Sequence, residues 1–277
     1  MSPQVSRVKR LVAGLPERYT FRSLIGRGSA AYVVLADDVE LNVPVAVKIM
    51  RPEVTTMVGQ QRFRREIDIL KQLDHPNILP LLDSGSTESG DLYLSTPFID
   101  GETLRTRLRR EKRLEVRDAI AIARDVAAAL DYAHQRGLIH RDIKPANILL
   151  SEGRVIVADF GISRPMTPSQ SAPITVSGVS LGTPEYMSPE QISGDLELDA
   201  RSDIYALGCV MYEMVSGKPP FTGTFARVFV SHGTEQPRPL RDAKLPIPAA
   251  VDAAVTKSLA KNRDSRFATA GEFARAL

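Results

Sequence analysis

The sequence predicts an α+β chain folded as two lobes, and three observations predict it. Short β-branched and aromatic runs fill most of the first hundred residues, with one helical stretch among them. Beyond that, apolar residues recur every three or four positions over long segments, the period of a helix with one buried face. The 277 residues are enough to bury a large apolar core without disulfides or a structural metal. A strand-rich part followed by a helical part packs as a small and a large lobe with a cleft between them.

The elements follow in order. Phe21 to Ile25, Tyr32 to Ala36 and Val43 to Met50 read as strands separated by Gly, Asp, Asn and Pro. From Gln61 to Leu73 the period changes: Phe63, Ile67, Leu70 and Leu73 form one face of an amphipathic helix, which Asp74-His75-Pro76-Asn77 ends. Ile78 to Leu82 and Leu92 to Ser95 read as further strands. Val116 to Gln135 is a helix with Ile122, Val126, Leu130 and Ala133 inward and Gly137 as its stop. Ser202 to Val215 is apolar on almost every face and is expected to be buried, and Pro248 precedes a helix over Ala249 to Ala260. From Ile162 to Pro184 the pattern fails: Pro165, Pro168 and Pro173 interrupt a Ser/Thr-rich stretch, either a functional loop or a solvated linker.

Composition narrows the class. Hydrophobic residues are 43% and charged residues 25%, which excludes a disordered or fibrous chain. A net charge of +3 gives no ground for nucleic acid binding. The single cysteine, Cys209, excludes an intramolecular disulfide and a Cys-rich zinc site, and its apolar neighbours predict a packed, inert thiol. There is no unbroken apolar run of membrane-spanning length, and the N-terminal residues do not read as a signal peptide. The expectation is a soluble protein of a reducing compartment.

Four strings carry chemistry. Gly26-Arg27-Gly28 lies between two predicted strands, where glycine lets backbone N–H groups approach phosphate oxygens; alone it is also compatible with a plain hairpin. Lys48 ends the strand Val45-Ala46-Val47. It is either a solvated strand tip or, beside a glycine loop, a phosphate ligand, with Glu66 on the helix as a candidate partner. His140-Arg141-Asp142-Ile143-Lys144-Pro145-Ala146-Asn147 suits phosphoryl transfer. Asp142 can orient a hydroxyl and take its proton, Lys144 can neutralise a γ-phosphate, and Asn147 can offer an oxygen to Mg²⁺. Asp159-Phe160-Gly161 follows the apolar strand Val155 to Ala158, 17 residues after Asp142, and a strand-end aspartate is a natural hard-metal ligand.

Together with Ser188-Pro189-Glu190, these motifs resemble in order and spacing the eukaryotic-type serine/threonine protein kinases, over about Tyr19 to Leu277. Ile78 to Gly85, Gly182 to Gln191 and Ala260 to Phe267 resemble the bacterial branch. The resemblance implies the bilobal protein kinase fold. Residues 1–18 would be an N-terminal extension, 19–99 a β-rich N-lobe with one main helix and the hinge, and 100–277 a mainly helical C-lobe carrying the activation segment 159–190. It implies transfer of the ATP γ-phosphoryl group to Ser/Thr hydroxyls, with Mg²⁺ (or Mn²⁺ in its place). Asp142 would be the base, Lys144 would assist it, and Lys48 paired with Glu66 would hold the α/β-phosphates. Asn147 and Asp159 would ligate the metal. Ile25, Gly26, Gly28, Val33, Ala46, Thr96 (gatekeeper), Pro97, Ile99, Glu102 (near the ribose) and Leu149 would line the nucleotide site. Thr183 would dock the substrate, and Arg141 would pair with a phosphate on the loop, with Thr175 and Ser177 the expected autophosphorylation sites. Asp203 would brace the catalytic loop, and Glu190 would pair with Arg266.

Two positions depart from the pattern: Ala31 replaces the third loop glycine, and Ser188 replaces an alanine; neither touches the catalytic carboxylates. A pseudokinase would usually lack one of Lys48, Glu66, Asp142, Asn147 and Asp159, and all five are present. A small-molecule kinase would usually lack Ser188-Pro189-Glu190. The basic run Arg105, Arg107, Arg109, Arg110, Lys112, Arg113 reads as a solvated helix face, with a docking surface as the alternative. His140 is expected to pack structurally, and His75, His134 and His232 have no assigned role. Partners would be protein substrates and the chain itself, with a homodimer left open and no nucleic acid. The location would be cytoplasmic, or the intracellular part of a membrane-anchored receptor kinase.

Overall fold

The structure, a computed structural model, describes residues 12, 14–28, 30–58, 60–160, 184–243 and 246–277. Five antiparallel strands form the N-terminal sheet in the order β1-β2-β3-β5-β4: β1 Tyr19–Arg27, β2 Ala31–Asp38, β3 Val43–Met50, β4 Asp83–Ser86 and β5 Leu92–Pro97. Two helices, α1 Pro52–Val58 and α2 Gln60–Leu70, lie between β3 and β4. Alternation along the strands sorts their side chains. Tyr32, Val34, Ala36, Val45, Val47 and Ile49 gather on one face with Tyr19 and Tyr93. The ladder pairs Val33 with Lys48 and Ala46 with Thr96 on the other face.

The C-terminal part is built on helices: α3 Leu104–Glu111, α4 Val116–His134, α5 Pro189–Ser193, α6 Ala200–Ser216, α7 Phe225–Thr234, α8 Ala249–Ser258 and α9 Ala270–Ala276. A small sheet, β6 Glu102–Thr103, β7 Ile148–Ser151 and β8 Arg154–Val157, lies at its edge. Helix α6 is buried almost all round, as its composition requires. Gly137 follows α4 at φ 75°, the left-handed conformation that favours glycine. Ser188, the departure noted above, caps α5: its hydroxyl accepts from Gln191 N–H while the Gln191 side chain accepts from Ser188 N–H. An alanine could not make the first of these bonds.

Two expectations are corrected. Ile78 to Leu82 is not a strand: only Ile78 bridges, to Val157, and the strand lies later, at Asp83–Ser86. Pro80 lacks the N–H a ladder needs. The main helix stops as an α-helix at Leu70, with a turn before Leu73, and α1 precedes it as a separate element.

Candidate active site

The catalytic-loop string sits between α4 and β7, held from below by the buried helix α6. Asp203 accepts from the backbone N–H of His140 at 2.7 Å and of Arg141 at 2.8 Å, and pairs with His134 Nε2 at 2.8 Å. Desolvation opposes the Asp203 charge, but His134 and these N–H groups outweigh it and hold the carboxyl below its ordinary value. His134 had no role in the sequence reading; its position six residues before His140, on the last turn of α4, was the only signal.

His140 is structural, as expected. Nε2 lies 2.9 Å from the Ala158 carbonyl and Nδ1 accepts from Asp142 N–H at 3.2 Å, a pattern that fixes the neutral Nε2–H tautomer. Its ring also packs on Phe160 at 4.5 Å. The imidazole is spent on joining the loop to the end of β8. Asp142 Oδ2 accepts from Lys144 Nζ at 2.7 Å and from Asn147 Nδ2 at 3.1 Å. Asn147 Nδ2 also donates to the Asp142 carbonyl at 2.9 Å, so its amide is oriented with Oδ1 as the remaining acceptor. The Ala158 N–H donates to the Asn147 carbonyl at 2.9 Å, which sets Asp159 beside the loop. Arg141 and Asp159 both have positive φ, 67° and 65°, uncommon for residues with a side chain and frequent at functional sites.

Lys48 reaches this cluster from the other lobe. Lys48 Nζ pairs with Asp159 Oδ1 at 2.7 Å. Glu66 stands half-buried on α2. Desolvation works against the Asp159 charge, and the Lys48 ammonium more than offsets it, holding the carboxyl below its usual range.

Glu102, on β6, has partners of its own. Directly opposed residues of a ladder project to the same face, and β6 pairs Glu102 with Leu150 and Thr103 with Leu149. Glu102 and Leu149 therefore project to opposite faces of this small sheet. Glu102 takes two bonds from Arg110, at 2.5 and 2.7 Å, in a groove with Asp118, Asp125 and Val155. The basic run is correspondingly neutralised in part: Arg107 pairs with Glu111 and Asp118. Arg105, half-buried, reaches inward to Glu213 at 2.7 Å and to the Tyr186 hydroxyl, which itself donates to Glu213.

The remaining positions are distributed as follows. Val33, Ala46, Lys48 and Thr96 share one face of the N-terminal sheet. Ile25 is exposed on β1, and Pro97 and Ile99 are half-buried where the chain leaves β5. Gly26 and Gly28 flank the β1–β2 turn. Thr175, Ser177 and Thr183 lie outside the described residues. Glu190 takes a bidentate, buried bond from Arg266, at 2.6 and 2.8 Å, as expected. Cys209 is fully buried and its thiol is pushed well above its ordinary value by burial, the inert state its neighbours predicted.

The profile of the protein kinase domain matches residues 19–269. The chain belongs to the protein kinase family. Among its relatives are the probable serine/threonine-protein kinase PknB of Bifidobacterium longum, 43% identical over 267 residues, covering 92% of this chain and 38% of that protein. The serine/threonine-protein kinase PknB of Mycobacterium tuberculosis is 40% identical over 264 residues, covering 93% and 42%. The chain thus spans about two fifths of the length of these curated relatives. The crystal structure of the Mycobacterium tuberculosis PknI kinase domain superposes with a TM-score of 0.76 at 30% identity, over 95% of this chain and 96% of that one. The bilobal kinase fold and the bacterial serine/threonine type expected from the motifs are both found. Among the described residues no helix is long and apolar enough to cross a membrane.

Proposed function

We propose that this kinase domain transfers the γ-phosphoryl group of ATP to Ser and Thr hydroxyls of proteins, including its own activation loop, in bacterial cytoplasmic signalling. The observation that carries the reading is that Asp142, Lys144 and Asn147 form one hydrogen-bonded group, that Lys48 from β3 and Asp159 after β8 form an ion pair, and that the Ala158 N–H, bonded to the Asn147 carbonyl, sets the second beside the first. Phosphoryl transfer asks a protein for little covalent chemistry and much positioning and charge neutralisation.

Asp142 is the base that receives the hydroxyl proton. Asn147 and Lys144 hold its carboxylate in place, and Lys144 is set to neutralise the γ-phosphate. Lys48 serves the α- and β-phosphates. The oxygen donors Asn147 Oδ1 and Asp159 fit a hard cation that keeps its other positions for phosphate oxygens and water, so Mg²⁺, with Mn²⁺ as substitute, would be held there. When bound, that ion supplies neutralisation of polyphosphate charge. Adenine would lie between Ile25, Val33, Ala46 and Leu149, with the Ile99 backbone and the Pro97 carbonyl as its hinge partners and Thr96 at the back. Thr103 takes the ribose-side position in place of Glu102, because it shares the face of Leu149. Gly26 and Gly28 cover the phosphates, Thr183 docks the acceptor, and a phosphate on Thr175 or Ser177 pairs with Arg141. Autophosphorylation between copies would pass through a homodimer.

Labelled ATP, Mg²⁺ and a generic basic protein test this. Asp142→Asn and Lys48→Met are each expected to lower turnover at least about a thousandfold, with Asp142→Asn leaving ATP binding within a few-fold. Turnover that survives Asp142→Asn overturns the reading.

A further inference from the structure

Lys261 follows α8, in the string Ala260 to Phe267, and has no part in the chemistry above. It is half-buried among elements of the larger lobe. Nζ lies 4.5 Å from the centroid of the Phe221 ring and 5.9 Å from that of Tyr205 on α6, and it donates to the Ser231 carbonyl on α7 at 3.3 Å. The guanidinium of Arg266 shares the Tyr205 ring, 4.8 Å from its centroid. Two cations therefore stand against one ring.

Only one of them holds a carboxylate. Glu190 takes the fork of Arg266 at 2.6 and 2.8 Å, Glu235 pairs with Arg227 at 3.1 Å, and Asp195 lies 3.5 Å from Arg263. Among the described residues Lys261 is left with two rings, one carbonyl and a like charge. Burial, with the repulsion of Arg266, outweighs the attraction of Glu235 and the Cys209 thiol and pushes the ammonium down to about 8. A lysine stripped of water beside a second cation is the arrangement that makes the amine a nucleophile.

Lys261 also has room to react. It lines a cavity of about 400 Å³, open to solvent, with Pro189, Ile192, Ser193, Gly233 and Asn262. That space admits a short acyl group together with its leaving group.

We propose that Lys261 is an acylation site: its free amine takes a short acyl group, within this cavity, from an activated donor, an acyl phosphate or a thioester. The nitrogen lone pair attacks the carbonyl carbon and an N–C amide bond forms. The C–O or C–S bond of the donor breaks, and phosphate or thiolate leaves with the electron pair. One amine proton goes to solvent, and nothing is oxidised or reduced. The product is uncharged, so modification removes the cation beside the Glu190–Arg266 pair.

The test follows each lysine of the native chain by peptide mass spectrometry during incubation with acetyl phosphate and, separately, with acetyl coenzyme A. Lys112, Lys218 and Lys257 are the controls, all exposed. Lys257 is the sharpest of them, because it too lies over a ring, 4.3 Å from the centroid of Phe267. At about pH 7.5 the Lys261 amine is about one quarter free base, and an ordinary lysine about one part in a thousand. After allowance for partial burial and weaker basicity, Lys261 is expected to react at least about tenfold faster than the controls. Its rate should level off above about pH 8.5, while theirs keep rising close to tenfold per pH unit. In concentrated urea the advantage should vanish. Labelling by either donor supports the proposal and names the donor. A Lys261 rate no greater than that of the controls, a rate that climbs with pH as theirs do, or an advantage that survives in urea each overturns it.

Discussion

Asp203 collects three donors on one carboxylate from two places: His134 at the end of α4, and the backbone N–H groups of His140 and Arg141 just before Asp142. The group is almost wholly buried, at 1% exposure, so water cannot replace it. Asp203→Asn is the informative change, because it keeps shape and removes charge. One amide oxygen can still accept, but the new NH₂ then faces an N–H donor. Leaving buried donors unpaired costs on the order of 3 kcal/mol, and the catalytic loop, tilted by a fraction of an ångström, should lose about one to two orders of magnitude in kcat with little change in KM. The pH dependence has a definite sign. The folded-state value of Asp203 is depressed, so its contribution to stability is present above the unfolded carboxyl value of about 4 and disappears as pH falls through the folded value. Urea unfolding at pH 7 and at progressively lower pH checks this. The wild type should lose stability more steeply on acidification than Asp203→Asn, and parallel curves would show that Asp203 carries no such charge.

Among the elements, α6 acts as the post on which the larger lobe is assembled, and its contacts allow no added volume. Gly208 faces α8 so closely that a Cβ there would stand 2.2 Å from Ser258 Oγ and 3.0 Å from Ser258 Cβ. Ser258 is fully buried and bonds the Val255 carbonyl, so it has nowhere to turn. Gly208→Ala should therefore destabilise by about 2 kcal/mol despite the better helix propensity of alanine, and Ser258→Ala should recover part of that in the double variant. Denaturant titration measures both; a Gly208→Ala variant as stable as the parent would mean that α8 moves freely against α6. The burial of α6 was legible in the sequence because an all-round apolar helix has few other places to go. The long helix α4 and the strands bearing Lys48 and Asp159 were legible for the same reason, since their periods are long or their apolar runs unbroken. Register was not. Which face Glu102 takes depends on how a two-residue strand pairs with β7, and no local pattern encodes that. Nor did the basic run announce that Arg105 would meet Glu213, 108 residues away, while its neighbours stayed on the surface. The catalytic strings could be read because their chemistry is local, whereas the pairing of Lys48 with Asp159 belongs to the meeting of the lobes.

That meeting is the property of the whole molecule on which nucleotide binding turns. Lys48 belongs to the sheet of the small lobe and Asp159 to the end of a strand in the large one, and they stand 2.7 Å apart. In the proposed reaction each has other work: Lys48 neutralises phosphate, and Asp159 holds a divalent cation. The pair therefore gathers the two lobes' charged groups before nucleotide arrives, and it also competes with the nucleotide for both of them. An ammonium held against a carboxylate offers less net charge to phosphate than one released from it, and the interaction is stronger where water is partly excluded. Asp159→Asn separates these two roles. Without metal, ATP should bind this variant at least as tightly as it binds the wild type, because Lys48 no longer has a carboxylate to give up. With Mg²⁺, the wild type should tighten markedly while the variant gains less than about twofold, because the metal has lost its charged protein ligand. Calorimetric titration of ATP with and without Mg²⁺ on both proteins reads the two effects separately. If metal-free affinity instead fell tenfold in Asp159→Asn, the carboxylate would be acting by holding Lys48 in its binding position rather than by competing for it, and the interlobe pair would have to be counted as a fixed part of the nucleotide site.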